Sequence, residues 1–173
     1  MSRSSNTAAL QMSDVAFAYS ARSEPVVSLT DLRIETAERV FLRGASGSGK
    51  STLLGLIAGI LSPQSGSIEV LGQDLLAMNA TQRDSFRASQ LGVIFQIFNL
   101  LPYLPVGANV TLPCRFSAVR AKAAAEAGGA DEEARRLLGR LGLDADADWA
   151  KRSTDLSAGQ KQRVAAARAL IGM

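Results

Sequence analysis

Residues 44–51 read GASGSGKS. A glycine, four residues and then Gly-Lys-Ser is the spacing of a loop that wraps phosphate. Gly44, Gly47 and Gly49 let the backbone take turns that a Cβ would forbid. The loop amides, through Ala45, Ser46 and Ser48, can then point inward at phosphate oxygens. Lys50 neutralises the β- and γ-phosphates, Ser51 offers a hydroxyl to Mg²⁺, and Thr52 stands on the α-phosphate side. The helix that starts here adds the partial positive charge of its N-terminus. An apolar strand, VFLR, leads in and a helical run, LLGLIAGIL, leads out. The expected ligand is a nucleoside triphosphate, and the loop by itself does not choose which.

The elements that must hold this loop are legible as periodicity. Residues 12–19 alternate as a strand, 26–35 form a second, 39–44 a short third, and 65–72 another between glycines. Residues 74–90 are polar and helical or loop. LGVIF, residues 91–95, is too short and too β-rich for a helix and is expected as a buried strand. After Gln96 the character changes. Residues 97–113 are apolar with prolines, and 117–142 are rich in Ala, Arg and Glu, helical, and interrupted at Gly128-Gly129. DEEARRLLGRLGL sets Leu137, Leu138 and Leu141 on one face, with acids in its first turn. Residues 144–155 are expected as a polar loop holding the only tryptophan, Trp149, and AGQKQRVAAARAL as a strong helix.

Bulk properties narrow the function classes. At 47% apolar over 173 residues the chain can bury a core and is not a disordered segment. A net charge of +3, scattered rather than blocked, does not call for nucleic acid as a partner. The start, MSRSSNTAALQMSD, has no apolar stretch of the secretory kind. The longest apolar run near a helix start, nine residues, is far short of a membrane span. Cys114 stands alone, and with no histidine anywhere to activate it, it is expected as a packing residue.

The closing stretch, LSAGQKQRVAAARAL, resembles the signature of the ATP-binding cassette (ABC) ATPases, an LSGGQ turn followed by a basic, Gln/Arg-rich helix. The resemblance runs along nearly the whole chain. Tyr19 in FAY sits where that family places an aromatic that stacks on adenine, and Gln96 closing LGVIFQ matches its Q-loop glutamine. The implied fold is α/β: a P-loop NTPase core with an antiparallel β subdomain and a helical subdomain. Residues 1–96 would be the ATP-binding core, 97–170 the helical signature subdomain, and 171–173 the start of the return to the core. The implied ligands are ATP and Mg²⁺. Lys50 and Gln96 would serve catalysis, and Ser51 and Gln96 would face the metal. Gln96 would also bind the attacking water and hinge the helical part. The implied complete protein is a head-to-tail homodimer. Ser157, Ala158, Gly159 and Gln160, a turn whose amides and helix dipole face outward, would meet the γ-phosphate bound by the other subunit.

Within the family, IFQIFNLLPYLPVGANVTLP resembles the subgroup serving lipoprotein-release and macrolide-export transporters. That implies a permease as membrane partner and a peripheral place on the cytoplasmic face of the inner membrane. Phe98, Leu100, Leu101 and Tyr103 would then help form the groove for a permease helix, or else pack as subdomain core.

Some features depart from the pattern. Ala158 replaces the second glycine of the signature, tolerable at negative φ and costly at positive φ. Ala37 replaces a turn glycine. The family continues from the signature into four apolar residues ending Asp-Glu, and later a histidine; residues 1–173 contain neither. The expectation is a fold incomplete at its C-terminus, a polypeptide that binds ATP weakly and hydrolyses it negligibly by itself. The alternative is a non-catalytic nucleotide-binding remnant or regulatory interaction module.

Overall fold

The computed structural model describes residues 8–173, so the polar start, residues 1–7, lies outside the described residues. The chain forms two compact units, one ending at Asp84 and one running from Ser85 to Met173. The division precedes the change of character that the sequence shows after Gln96.

The first unit is built on an antiparallel sheet of four strands: β1 (Ala8–Phe17), β2 (Val27–Glu35), β3 (Ser65–Val70) and β4 (Gln73–Asp74), in the order β2-β1-β3-β4. β1 is central because its alternation supplies one apolar face: Leu10, Met12, Val15 and Phe17 are buried. Met12 lies opposite Ile68 and Leu10 opposite Val70, so the two strands bury one shared layer. Each such side chain contributes roughly 1.5–3 kcal/mol when fully buried. The phase slips at Asp14, φ 50°, where the β1–β3 register shifts. Helix α1 (Lys50–Ile57) follows the phosphate-loop sequence. It stops short of the expected run because Gly59 turns left-handed at φ 65°.

Two expected strands are not strands. Residues 39–43 and 91–95 run as irregular chain. Neither finds a partner strand among the described residues, and an unpaired strand leaves its amides and carbonyls to water. Their apolar side chains stay outside: Phe41 is 88% exposed, and Val40, Leu42, Ile94 and Phe95 are exposed too.

Helix α2 (Ala80–Gln90) opens with a reciprocal cap between Asn79 and Gln82 and carries the chain out of the first unit. The second unit is helical: α3 (Val106–Thr111), α4 (Pro113–Phe116), α5 (Ala118–Glu126), α6 (Ala130–Arg140), α7 (Ala145–Asp148) and α8 (Ala158–Leu170). The expected loop at 144–155 is in fact α7 followed by a short 3₁₀ turn, because the Asp144 side chain caps the amides of Asp146 and Ala147. Gly128 and Gly129, both at positive φ, break α5 from α6 at the expected place. The core joins Val106 and Val110 of α3, Leu137 and Leu138 of α6, and Val164 and Ala167 of α8, with Trp149 against its edge. Trp149 lies over the face that Gly107 leaves bare, and the Arg135 guanidinium sits 4.1 Å from its ring centre.

Candidate nucleotide site

The phosphate-loop residues and Tyr19 lie in the first unit. Gly47 and Gly49 hold φ of 80° and 83°. At Gly49 a Cβ would also come within 2.7 Å of the Val26 carbonyl, so the loop needs glycine there twice over. Gly44 has an ordinary φ, and its lack of a Cβ makes room for the Ser48 hydroxyl.

Gly49 caps α1 without a side chain, and the amide of Leu53 is the first to bond back, to the Gly49 carbonyl. The amides of Lys50, Ser51 and Thr52 are thus the open donors of this helix end. Lys50 Nζ folds over the loop and donates to the carbonyls of Gly44 (2.8 Å) and Ala45 (2.5 Å). Carbonyls hold the ammonium where anionic oxygens could replace them. Ser51 is exposed beside it, a hard oxygen of the kind Mg²⁺ accepts alongside substrate phosphates. Among the described residues no cluster of acidic, cysteine or histidine side chains offers a ready-made metal cage.

Tyr19 lies just past the end of β1 and is 69% exposed. Its hydroxyl is 3.0 Å from Oγ1 of the buried Thr52, and Phe17 meets its ring edge-on at 5.0 Å. One face of the ring is therefore held in place on a support tied to α1. The Thr52 hydroxyl is engaged with Tyr19; phosphate on that side would meet the Thr52 amide.

Gln96 and the signature turn lie in the second unit. Gln96 is exposed and lines a cleft of about 590 Å³ with Ile97, Phe98, Leu100, Ala158 and Lys161. Phe98 and Leu100 are among its lining residues. Leu101 is instead tied by its backbone to the fully buried Asn109, whose side chain also binds the carbonyls of Leu104 and Pro105. Tyr103 is 70% exposed and outside the cleft.

Ser157 and Gln160 cap each other: Ser157 Oγ accepts from the Gln160 amide and Gln160 Oε1 from the Ser157 amide. That leaves the amides of Ala158 and Gly159 as the open pair at the start of α8. Ala158 is the first residue of α8 and has no positive φ, so this departure from the signature carries no backbone strain. Ala37 is different: it sits at φ 65°, where glycine would be easier.

Sequence reading missed three residues of the scaffold. They are Asn109, Arg120 and Arg168, which little in the sequence pattern sets apart from other polar positions. Arg120 is 2% exposed and donates to the carbonyls of Ala88, Leu91, Ala169 and Ile171. These are the last carbonyls of α2 and α8, so one cation closes two helix C-termini. Burial lowers its pKa from the ordinary arginine value. The only signal in the sequence was an arginine within an otherwise alanine-rich helical face.

A glycine-lined phosphate loop at the head of a helix, beside an antiparallel sheet, together with a helical unit that opens its last helix on a Ser-Ala-Gly turn, defines a nucleotide-binding cassette. The chain belongs to the ABC transporter family, whose profile matches residues 27–173. Over 159 residues it is 37% identical to the lipoprotein-releasing system ATP-binding protein LolD of Syntrophotalea carbinolica, covering 90% of this chain and 65% of LolD. It is 38% identical to the bacitracin export ATP-binding protein BceA of Halalkalibacterium halodurans, covering 86% of this chain and 55% of BceA. The ATP-binding cassette MJ0796, solved as a dimer in a post-hydrolysis state with ADP and Pi, superposes with a TM-score of 0.81 at 29% identity. That match covers 94% of this chain and 69% of MJ0796. The chain therefore spans between half and two thirds of the length of these curated relatives.

Proposed function

We propose that this chain is the nucleotide-binding part of an ABC transporter subunit that couples ATP binding and hydrolysis to export or extraction through a partner permease. The observation that carries this reading is the loop: Gly47 and Gly49 in left-handed conformations, Lys50 folded onto loop carbonyls, and open amides at the head of α1. Triphosphate replaces the carbonyls around Lys50 and takes up those amides, and Tyr19 supports the base. Ser51 would hold Mg²⁺ alongside the phosphates, and the ion would neutralise developing charge on the transferred group. Ala158 and Gly159 present their amides to the γ-phosphate held by a second copy, in a head-to-tail pair.

The cleft beside Gln96 receives a cytoplasmic helix of the permease, which puts the subunit on the inner face of the plasma membrane. No helix among the described residues is long and apolar enough to cross a membrane. The relatives' names span lipoprotein release, bacitracin export and macrolide export. Cargo choice is accordingly assigned to the permease.

Residues 1–173 hold neither a histidine nor an apolar run ending Asp-Glu after the signature. They supply positioning and charge without the general base. By themselves they bind ATP and do not turn it over at an enzymatic rate. The test is a MgATP titration of residues 1–173 with an ATPase assay alongside. Saturable binding that is lost in Lys50→Ala, with no turnover, is expected. Binding that survives Lys50→Ala, or turnover typical of an enzyme, would sink the reading.

A further inference from the structure

Just after Gln96 the backbone does something a phenylalanine and an asparagine rarely do together. Phe98 sits at φ 57° and Asn99 at φ 48°, two successive left-handed residues with side chains. Such backbone persists only where its surroundings hold it. Within the turn, the Phe98 amide donates to the Phe95 carbonyl at 2.9 Å and the Asn99 amide to the Ile97 carbonyl at 2.6 Å. The external hold comes from α8. Arg168 donates through Nη2 to the Phe98 carbonyl at 2.6 Å and through Nη1 to the Asn99 carbonyl at 2.7 Å. A planar fork placed on two successive carbonyls fixes the orientation of the turn as well as its distance.

Arg168 lies in the last turn of α8, and Ser157 caps the first turn of the same helix. At 1.5 Å per residue the two ends are about 16 Å apart on one rod. Upstream of Gln96, Arg120 ties the Leu91 carbonyl to the carbonyls of Ala169 and Ile171. The Gln96 segment is thus anchored to the C-terminal end of α8 on both sides. Gln96, Phe98 and Ala158 also line one cleft.

We infer that Arg168 is a positioning residue: it holds the left-handed Phe98–Asn99 turn to α8, so that Gln96 and the Ser157–Gln160 turn take up one setting together. This rests on the roles proposed above for Gln96 and the signature turn. A change at Gln96 is then passed to the Ser157–Gln160 turn through one guanidinium and one helix.

The experiment uses the full-length protein and three variants. Arg168→Met removes the fork and keeps the length of the side chain. Its MgATP affinity is expected to stay unchanged, because the phosphate loop is untouched, while kcat falls about ten- to a hundredfold. Arg168→Lys recovers only part of kcat, since an ammonium lacks the fork. Asn99→Gly added to Arg168→Met restores kcat at least about threefold, because glycine takes the left-handed position without help. Hydrogen exchange supplies the second readout. In the unsubstituted protein MgATP slows exchange at residues 97–100 and 158–160 in parallel, and in Arg168→Met the two segments respond separately. An unchanged kcat in Arg168→Met, or a parallel exchange response that survives it, overturns the inference. No MgATP response at either segment of the unsubstituted protein overturns the underlying functional reading, and this inference with it.

Discussion

Single residues in this chain divide by what a small change would meet. Gly49 and Gly159 are both loop-to-helix glycines, and their environments are opposite. A Cβ on Gly49 strikes the Val26 carbonyl at a φ of 83°, whereas a Cβ on Gly159 meets nothing within 4 Å and needs no positive φ. Gly49→Ala is expected to lower stability by about 1–3 kcal/mol, seen as a reduced melting temperature. Gly159→Ala should fold as well as the parent or slightly better, since alanine favours a helix over glycine by up to about 1 kcal/mol. A loss of ATPase activity in the full-length Gly159→Ala protein would then report a nucleotide or partner pressed against the turn. Cys114 is half-buried, and burial first, then the Glu133 carboxylate, raises its thiol above the ordinary pKa. The thiol stays protonated at neutral pH, so iodoacetamide should label it more slowly than a free cysteine, accelerating only in alkaline buffer. The phosphate-loop geometry was legible in the sequence because glycine spacing dictates it. Arg168 was not, since nothing in a helical pattern says that a cation will find backbone carbonyls 69 and 70 residues away.

At the scale of elements, periodicity succeeded where an element makes its own contacts. β2, β3, α6 and α8 fall where alternation and apolar spacing put them, while β1 begins four residues before the expected strand at 12–19. It failed at 39–43 and 91–95, whose apolar residues carry strand propensity but meet no pairing strand. Strand identity belongs to the pair, and one partner cannot state it alone. α7 shows the converse, a helix of four residues in polar sequence that exists because one aspartate caps it. The amides of Ala147 and Asp146 hold the Asp144 carboxyl below its usual range. A depressed carboxyl contributes its stability fully above the unfolded-state pKa and loses it as pH falls through the folded-state value. The melting-temperature gap between the parent and Asp144→Ala should therefore be steady near neutrality and shrink only below the ordinary aspartate range. A gap that instead closes between pH 8 and 6 would disprove the assignment.

The chain forms two units, and each offers its own reporter. Trp149, the only tryptophan, packs in the helical unit and stands on α3 and Arg135. Leu138→Ala empties a fully buried site in that core and should cost about 2–5 kcal/mol. Fluorescence of Trp149 in a urea titration would register the shift. In the first unit the exposed Val40, Phe41 and Leu42 form an apolar strip directly ahead of the phosphate loop. Residues 1–173 on their own should bind a hydrophobic dye through it, and Phe41→Ser should weaken that signal without altering MgATP binding. Fold class was readable at this scale through the family resemblance that the order of the motifs carries. The division at Asp84 was not, since a helix as polar as α2 gives no hint of which core each end belongs to.

The bond between the Tyr19 hydroxyl and Thr52 has a consequence for selectivity. It fixes the ring as a shelf mounted on the same helix that opens at the phosphate-loop sequence. Under the role proposed for it, a shelf registers the breadth of a base and not its lettering, since every base offers a flat face. Recognition would then sit in the triphosphate, and adenine and guanine would lean on Tyr19 almost alike. Under that reading, the choice between purine triphosphates would follow their supply rather than the ring.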